Sequence, residues 1–221
     1  MVLISEQDRE TLRARLAAIT EPVTLLFFTQ TIGASEGALI AKRILDELAV
    51  LSDRVSVEEI NFILDKDRVR EYGITHAPAI AVLKGGTDTR IRFLGAPAGY
   101  EFAALIEAIL LAGANDSGLS DESKKLIAEH VSAPIDIQVF VTPTCPHCPR
   151  AVTLAHRMAF EHPMIRGTSV EATEFMDLSR QYRVTGVPKT VVNQTIEILG
   201  AVPEDTFVRT VVQASETNSA S

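Results

Sequence analysis

Two stretches of this chain, EYGITHAPAIAVL at residues 71–83 and QYRVTGVPKTVVN at 181–193, are versions of one another. Tyr72 falls on Tyr182 and Pro78 on Pro188, both at an offset of 110 residues. Each stretch runs on to a Leu-Gly pair, in RFLGAPAGYEF around Gly95 and in EILGAVPEDTF around Gly200. Upstream, LFFTQTIGAS at 26–35 overlies VFVTPTCPHC at 139–148 at an offset of 113, so the connections differ slightly in length. A repeat of this size exceeds the period of solenoid units, about 20 to 50 residues. It is the size of a small domain, so the chain is expected to be two copies of one folding unit.

Each copy reads in the order (α)βαβαββα. A leading helix is predicted over 5–19 and again over 121–130, followed by a strand over 23–29 and over 135–141. In the second strand Ile135, Ile137, Val139 and Val141 alternate. Ala41, Ile44, Leu45 and Leu48 share one face of the next helix. A strand (55–63; 164–170), a short helix ending near the tyrosine, a strand after the proline, its hairpin partner and a last helix complete each copy. Phe102, Leu105, Ile106 and Ile109 make the apolar stripe of that last helix in the first copy. Alternating strands and helices imply an α/β architecture, each copy a mixed sheet flanked by helices. The turn formers of GANDSG at 113–118 mark the linker. The expected division is 1–115, 116–214, and a polar tail over 215–221 that frays.

With 46% apolar residues, the 221-residue chain has enough material for a core. Its net charge of -8 argues against nucleic acid or an anionic membrane as partner. The N-terminus carries acids early and has no apolar run of secretory type, and no stretch is long enough to span a membrane. The expected compartment is therefore cytoplasmic, where thiols stay mostly reduced.

All the cysteine sits in TPTCPHCPR, at Cys145 and Cys148. A structural zinc site needs about four ligands, and this chain offers one cysteine pair and five scattered histidines. Haem attachment wants a histidine directly after the second cysteine, where Pro149 stands. A staple across so short a loop constrains almost nothing. What remains is a pair that opens and closes. With Pro146 as first helical residue, Cys145 would sit at the N-cap, facing unpaired N–H groups and the positive helix end. Such surroundings bring a thiol pKa from about 8.5 to between about 3.5 and 7. Cys145 is then the nucleophile and Cys148 the resolver. His147 would stabilise the thiolate further, against the alternative that it is merely exposed; Pro149 would leave the Cys145 carbonyl free. His76 falls in the loop before Pro78, and His130, His156 and His162 at helix surfaces or ends.

CPHC between a strand and a helix, followed some 40 residues later by Gly186-Val187-Pro188, resembles the thioredoxin/glutaredoxin superfamily. Two such units in tandem look like the glutaredoxin-like protein disulfide oxidoreductases of archaea and bacteria. They look also like the N-terminal module of the alkyl hydroperoxide reductase flavoprotein. The resemblance implies a cis Pro188 beside the dithiol and a Val187 backbone that pairs with bound substrate as an added strand would. It implies a thiol–disulfide oxidoreductase acting on protein substrates through a redox-active Cys145–Cys148 disulfide. No bound cofactor is implied, since phosphate and dinucleotide glycine motifs are absent. Electrons would come from a separate reductase.

The first copy departs from the pattern, having Ile32-Gly33-Ala34-Ser35 where the second has Cys-Pro-His-Cys. It is expected to be redox-inactive, with a structural or docking role. That arrangement is closer to the peroxide-reductase module, in which a glutamate of the inactive unit is proposed to aid proton transfer. Glu101 is the match here, against a solvated glutamate at a helix start. The alternative function is a dedicated carrier between a thioredoxin-reductase-like flavoprotein and a peroxiredoxin. An iron–sulfur-binding, glutaredoxin-like dimer and a non-catalytic peptide-binding module are further rivals.

Overall fold

The computed structural model describes residues 4–30 and 33–218, the last three of them by backbone alone. In the first unit α1 (Glu6–Leu16), β1 (Val23–Thr29), α2 (Glu36–Ala49), β2 (Val55–Asn61), α3 (Lys66–Glu71), β3 (Ala79–Lys84), β4 (Thr87–Leu94) and α4 (Glu101–Ala112) follow one another. The second unit repeats the order with α5 (Asp121–His130), β5 (Ile135–Val141), α6 (Cys148–Glu161), β6 (Ile165–Glu171), α7 (Met176–Gln181), β7 (Lys189–Val192), β8 (Ile196–Leu199) and α8 (Glu204–Asn218). The order and the bounds of β1, β5 and α5 are those read from the sequence; α1 stops three residues earlier and β2 two residues earlier than expected.

Within each unit the first strand pairs parallel with the second and antiparallel with the third, which forms a hairpin with the fourth. The two four-stranded sheets are not separate. β4 pairs parallel with β6, Ile91 opposite Gly167 through Leu94 opposite Val170, giving one sheet ordered β2-β1-β3-β4-β6-β5-β7-β8. The sheet is buried on both faces, so β1 is apolar along nearly its whole length. Val23, Leu25 and Phe27 enter the larger core, with residues of α1, α2, α4, α6 and α8. Leu26 and Phe28 face the smaller core under α3 and α7.

Two buried cations brace the smaller core. Arg92 donates to the Tyr72 carbonyl at 3.0–3.1 Å and to the Asp88 carboxylate at 2.6–2.8 Å. In the second unit Lys189 donates to the Tyr182 carbonyl at 2.7 Å and pairs with Glu197 at 2.8 Å. Each fixes the end of the short helix that leads to the Pro78 or Pro188 loop, and each is paired as a buried charge must be.

The C-terminus corrects an expectation. α8 continues to Asn218, and Ser215, placed in the frayed tail from its polarity, is fully buried. Its hydroxyl accepts from the Ser132 and Ala133 N–H groups at 3.1 and 3.3 Å, groups left without helical partners after α5. Residues 219–221 lie outside the described residues.

Candidate active site

β5 delivers the chain to two successive turns. The Cys145 N–H donates to the Thr142 carbonyl at 3.1 Å, and the Cys148 N–H to the Cys145 carbonyl at 3.4 Å. α6 starts only at Cys148, with His147 as its N-cap and Pro149 in its first turn. Cys145 is therefore not the cap, Pro146 is not the first helical residue, and the Cys145 carbonyl is not free. Both prolines fit an N-terminal position by chemistry; Pro149 takes it, because a missing N–H costs nothing in the first turn. Cys145 stands one turn ahead of the positive end of α6, and Cys148 is on it.

The two cysteines form a disulfide with Cα atoms 5.5 Å apart. Cys148 is fully buried, whereas Cys145 retains 8% exposure. Pro146 and His147 are exposed, and the His147 side chain makes no capping hydrogen bond. Val187–Pro188 is a cis peptide, as is Ala77–Pro78 in the first unit. The register that pairs Phe140 with Lys189 brings Pro188 alongside Val141, where the chain leaves β5 for Cys145. The Pro188 carbonyl accepts from the Gly200 N–H, and that of Pro78 from the Gly95 N–H, both at 2.9 Å. Val187 is half-buried and its backbone N–H and carbonyl take no partner within the described residues.

Glu101, from the first unit, is 1% exposed rather than solvated. One carboxylate oxygen accepts from the Ser169 hydroxyl at 3.1 Å, across the β4–β6 seam; the other has no partner. Burial, reinforced by the charge of Glu171 and opposed by the Ser169 hydrogen bond, pushes its pKa up to about 7. Glu171 and Glu174 lie nearby, so carboxylates gather where the two units meet.

Sequence reasoning placed His156 at a helix surface, and the structure places it in the core. It is 1% exposed and meets Phe93 of the first unit edge-on at 4.9 Å. Neither ring nitrogen makes a hydrogen bond of ordinary geometry, the Arg92 backbone being the polar group that comes near. Burial pushes its pKa down to about 3. His130 and His162 do lie at helix ends and His76 in its loop.

In the first unit Ser35 occupies the position of Cys148. It is the N-cap of α2, its hydroxyl accepting from the Ala38 N–H at 3.1 Å. Ile32, which answers to Cys145, lies outside the described residues. Among the described residues no cluster of His, Cys, Asp or Glu could hold a metal ion, and no helix is long and apolar enough to cross a membrane.

The thioredoxin domain family matches residues 135–213, which span the second unit from β5 onward. The flavoprotein-type F component of alkyl hydroperoxide reductase in Escherichia coli is 29% identical over 184 residues, 82% of this chain. The match covers 32% of that relative, so the chain spans about a third of its length. The N-terminal domain of the same reductase from Enterococcus faecalis superposes with a TM-score of 0.87 at 26% identity, covering 94% of this chain and 99% of that one. A protein disulfide oxidoreductase from Aeropyrum pernix superposes with a TM-score of 0.87 at 31% identity, covering 96% and 94% respectively. With its repeated fold, its paired cysteines and its cis prolines, the chain belongs to the tandem thioredoxin-fold family of thiol–disulfide oxidoreductases.

Proposed function

We propose that this chain exchanges disulfides with protein substrates through Cys145 and Cys148. The difference in burial between the two sulfurs carries the reading, since only Cys145 is open to a second molecule. The Cys145 thiolate attacks one sulfur of the substrate disulfide; a mixed disulfide forms and the other substrate sulfur leaves as a thiolate. The Cys148 thiolate then attacks the Cys145 sulfur and expels the second substrate sulfur. Two electrons pass to the substrate, and the Cys145–Cys148 disulfide remains. Pro146 and His147, ahead of the helix end, tune the attacking thiolate. The unpaired backbone of Val187, beside Pro188, offers a strand edge to an extended substrate segment. A Glu101 pKa near 7 suits it to exchange a proton with the dithiol at neutral pH. The domain division at 115/116 assigns all of this chemistry except Glu101 to the second unit.

A second reading is favoured by the match to nearly the whole N-terminal domain of the Enterococcus reductase. In it the chain carries electrons from a thioredoxin-reductase-like flavoprotein to a peroxiredoxin by the same two steps. The discriminating experiment runs insulin reduction beside peroxide turnover with a flavoprotein reductase and a peroxiredoxin. Faster reduction of insulin supports the general role, and activity confined to the peroxide couple supports the relay. In both, Cys145→Ser abolishes activity and Cys148→Ser accumulates mixed disulfides through Cys145. Full activity of Cys145→Ser sinks both readings.

A further inference from the structure

The unit without cysteines reaches into the unit that has them. Its segment 96–101, between β4 and α4, crosses onto the loop that presents Cys145. The Tyr100 N–H donates to the Pro143 carbonyl at 2.9 Å. Gly99, with φ +59°, lies against the same residue so closely that a Cβ would collide with the Pro143 carbonyl oxygen. At the other end of the segment the Ala96 N–H donates to Glu174 of the second unit at 2.7 Å. Glu174 is itself seated over Gly37, where a Cβ would overlap its carboxylate.

Pro143 is inside the turn that the Cys145 N–H closes on the Thr142 carbonyl. A bond to the Pro143 carbonyl therefore holds that turn from outside. The contact is not a by-product of the repeat. At the positions of Gly99 and Tyr100 the second unit has Glu204 and Asp205, and Glu204 turns the other way. It accepts from the Ser120 N–H at 2.9 Å and the Ser123 hydroxyl at 2.8 Å, at the start of α5.

We infer that segment 96–101 is a positioning strap for the dithiol: by gripping Pro143 it keeps Cys145 presented to Cys148, with Gly99 permitting the approach and Glu174 clasping the far end. This rests on the reading that the pair opens and closes. Ring closure between two thiols depends on their effective concentration, which falls when the turn carrying one of them is released. Releasing the strap should weaken the closed disulfide relative to the dithiol and make the pair more oxidising.

The test equilibrates the whole chain with glutathione. The dithiol gives two electrons and two protons to oxidised glutathione, yielding the Cys145–Cys148 disulfide and two reduced glutathiones. The oxidised fraction is read by alkylation and mass. Gly99→Ala is expected to lower the equilibrium constant by about five- to tenfold, tenfold being 29.6 mV for this two-electron couple. It should also lengthen the life of the mixed disulfide. Gly85→Ala is the control: Gly85 has φ +53° with nothing within 4 Å of a Cβ, so this variant loses stability without touching Pro143. A constant for Gly99→Ala equal to that of Gly85→Ala and wild type overturns the inference. Should Gly99→Ala not fold, Glu174→Ala decides by the same measurement. There a shift of about two- to threefold supports the strap, and none overturns it. A wild-type pair that does not cycle reversibly with glutathione overturns the exchange reading, and the strap's role with it.

Discussion

α2 and α6 are the same helix twice, each 14 residues long and each following the first strand of its unit. Their surroundings differ. Leu39 of α2 is 59% exposed, and its counterpart in α6, Val152, is fully buried. Arg43 points to solvent where α6 has the buried His156. The cause is topological. β2 is the sheet's edge, whereas β6 has become an inner strand by pairing with β4, and the first unit covers α6. The exposed edge at β2 is guarded by Glu58 and Glu59, paired with Arg68 and Lys42. Only the covered copy offers surroundings that shift a carboxylate to about 7 or an imidazole to about 3. The cysteines are in that copy, and a serine that merely caps a helix is in the other.

Replacing the groups that depend on that cover should level the two copies. The largest effect is expected for His156→Leu. The folded state resists protonating His156, while the unfolded chain takes up a proton below its ordinary pKa. Wild-type stability is thus unaffected at pH 7 and is lost as pH falls from 6.5, by about 4 to 5 kcal/mol at pH 3. Urea unfolding at several pH values should show the variant nearly neutral at pH 7, because the ring nitrogens it removes bond nothing. An unchanged acid dependence would show that His156 is hydrated in solution. Glu101→Gln acts in the opposite pH direction. The folded state holds the Glu101 proton that the unfolded chain releases, so its contribution is present below about 4.5 and is lost as pH rises through about 7. Above that the buried charge costs about 3 kcal/mol. The variant should therefore be the more stable protein at pH 8, with the gap closing toward pH 5; equal unfolding midpoints at pH 8 would contradict the burial. The smallest effect belongs to the uncovered copy. Ser35→Ala loses a cap worth about 1 kcal/mol and leaves the glutathione equilibrium of the dithiol alone. A change in that equilibrium would mean the first unit acts on the site through α2 as well as through its strap.

The repeat, the strands and the cysteine pair were legible because each has a local signal. β1 and β5 are apolar runs bounded by turn residues, and the cysteines stand between a strand and a helix. The β4–β6 pairing was not legible, since parallel strands from different units are brought together by packing and by no connection between them. Three misjudged or undecided polar residues share one explanation. His156 continues the row Cys148, Val152; Ser215 continues Phe207, Val211; Glu101 begins Leu105, Ile109. In each case a polar side chain sits four residues from apolar ones on the same helical stripe. Reading spacing before polarity would have put all three inside. The N-cap error is different, because Pro146 and Pro149 are chemically equivalent candidates and only the hydrogen bonds of the turn choose between them.

The seam between β4 and β6 has a mechanical corollary. Four residue pairs of shared ladder leave no hinge between the copies, so the disulfide cannot swing away from the glutamate and the strap that flank it. Whatever molecule supplies electrons and whatever molecule takes them must call at one doorway in turn, each clearing it before the next arrives.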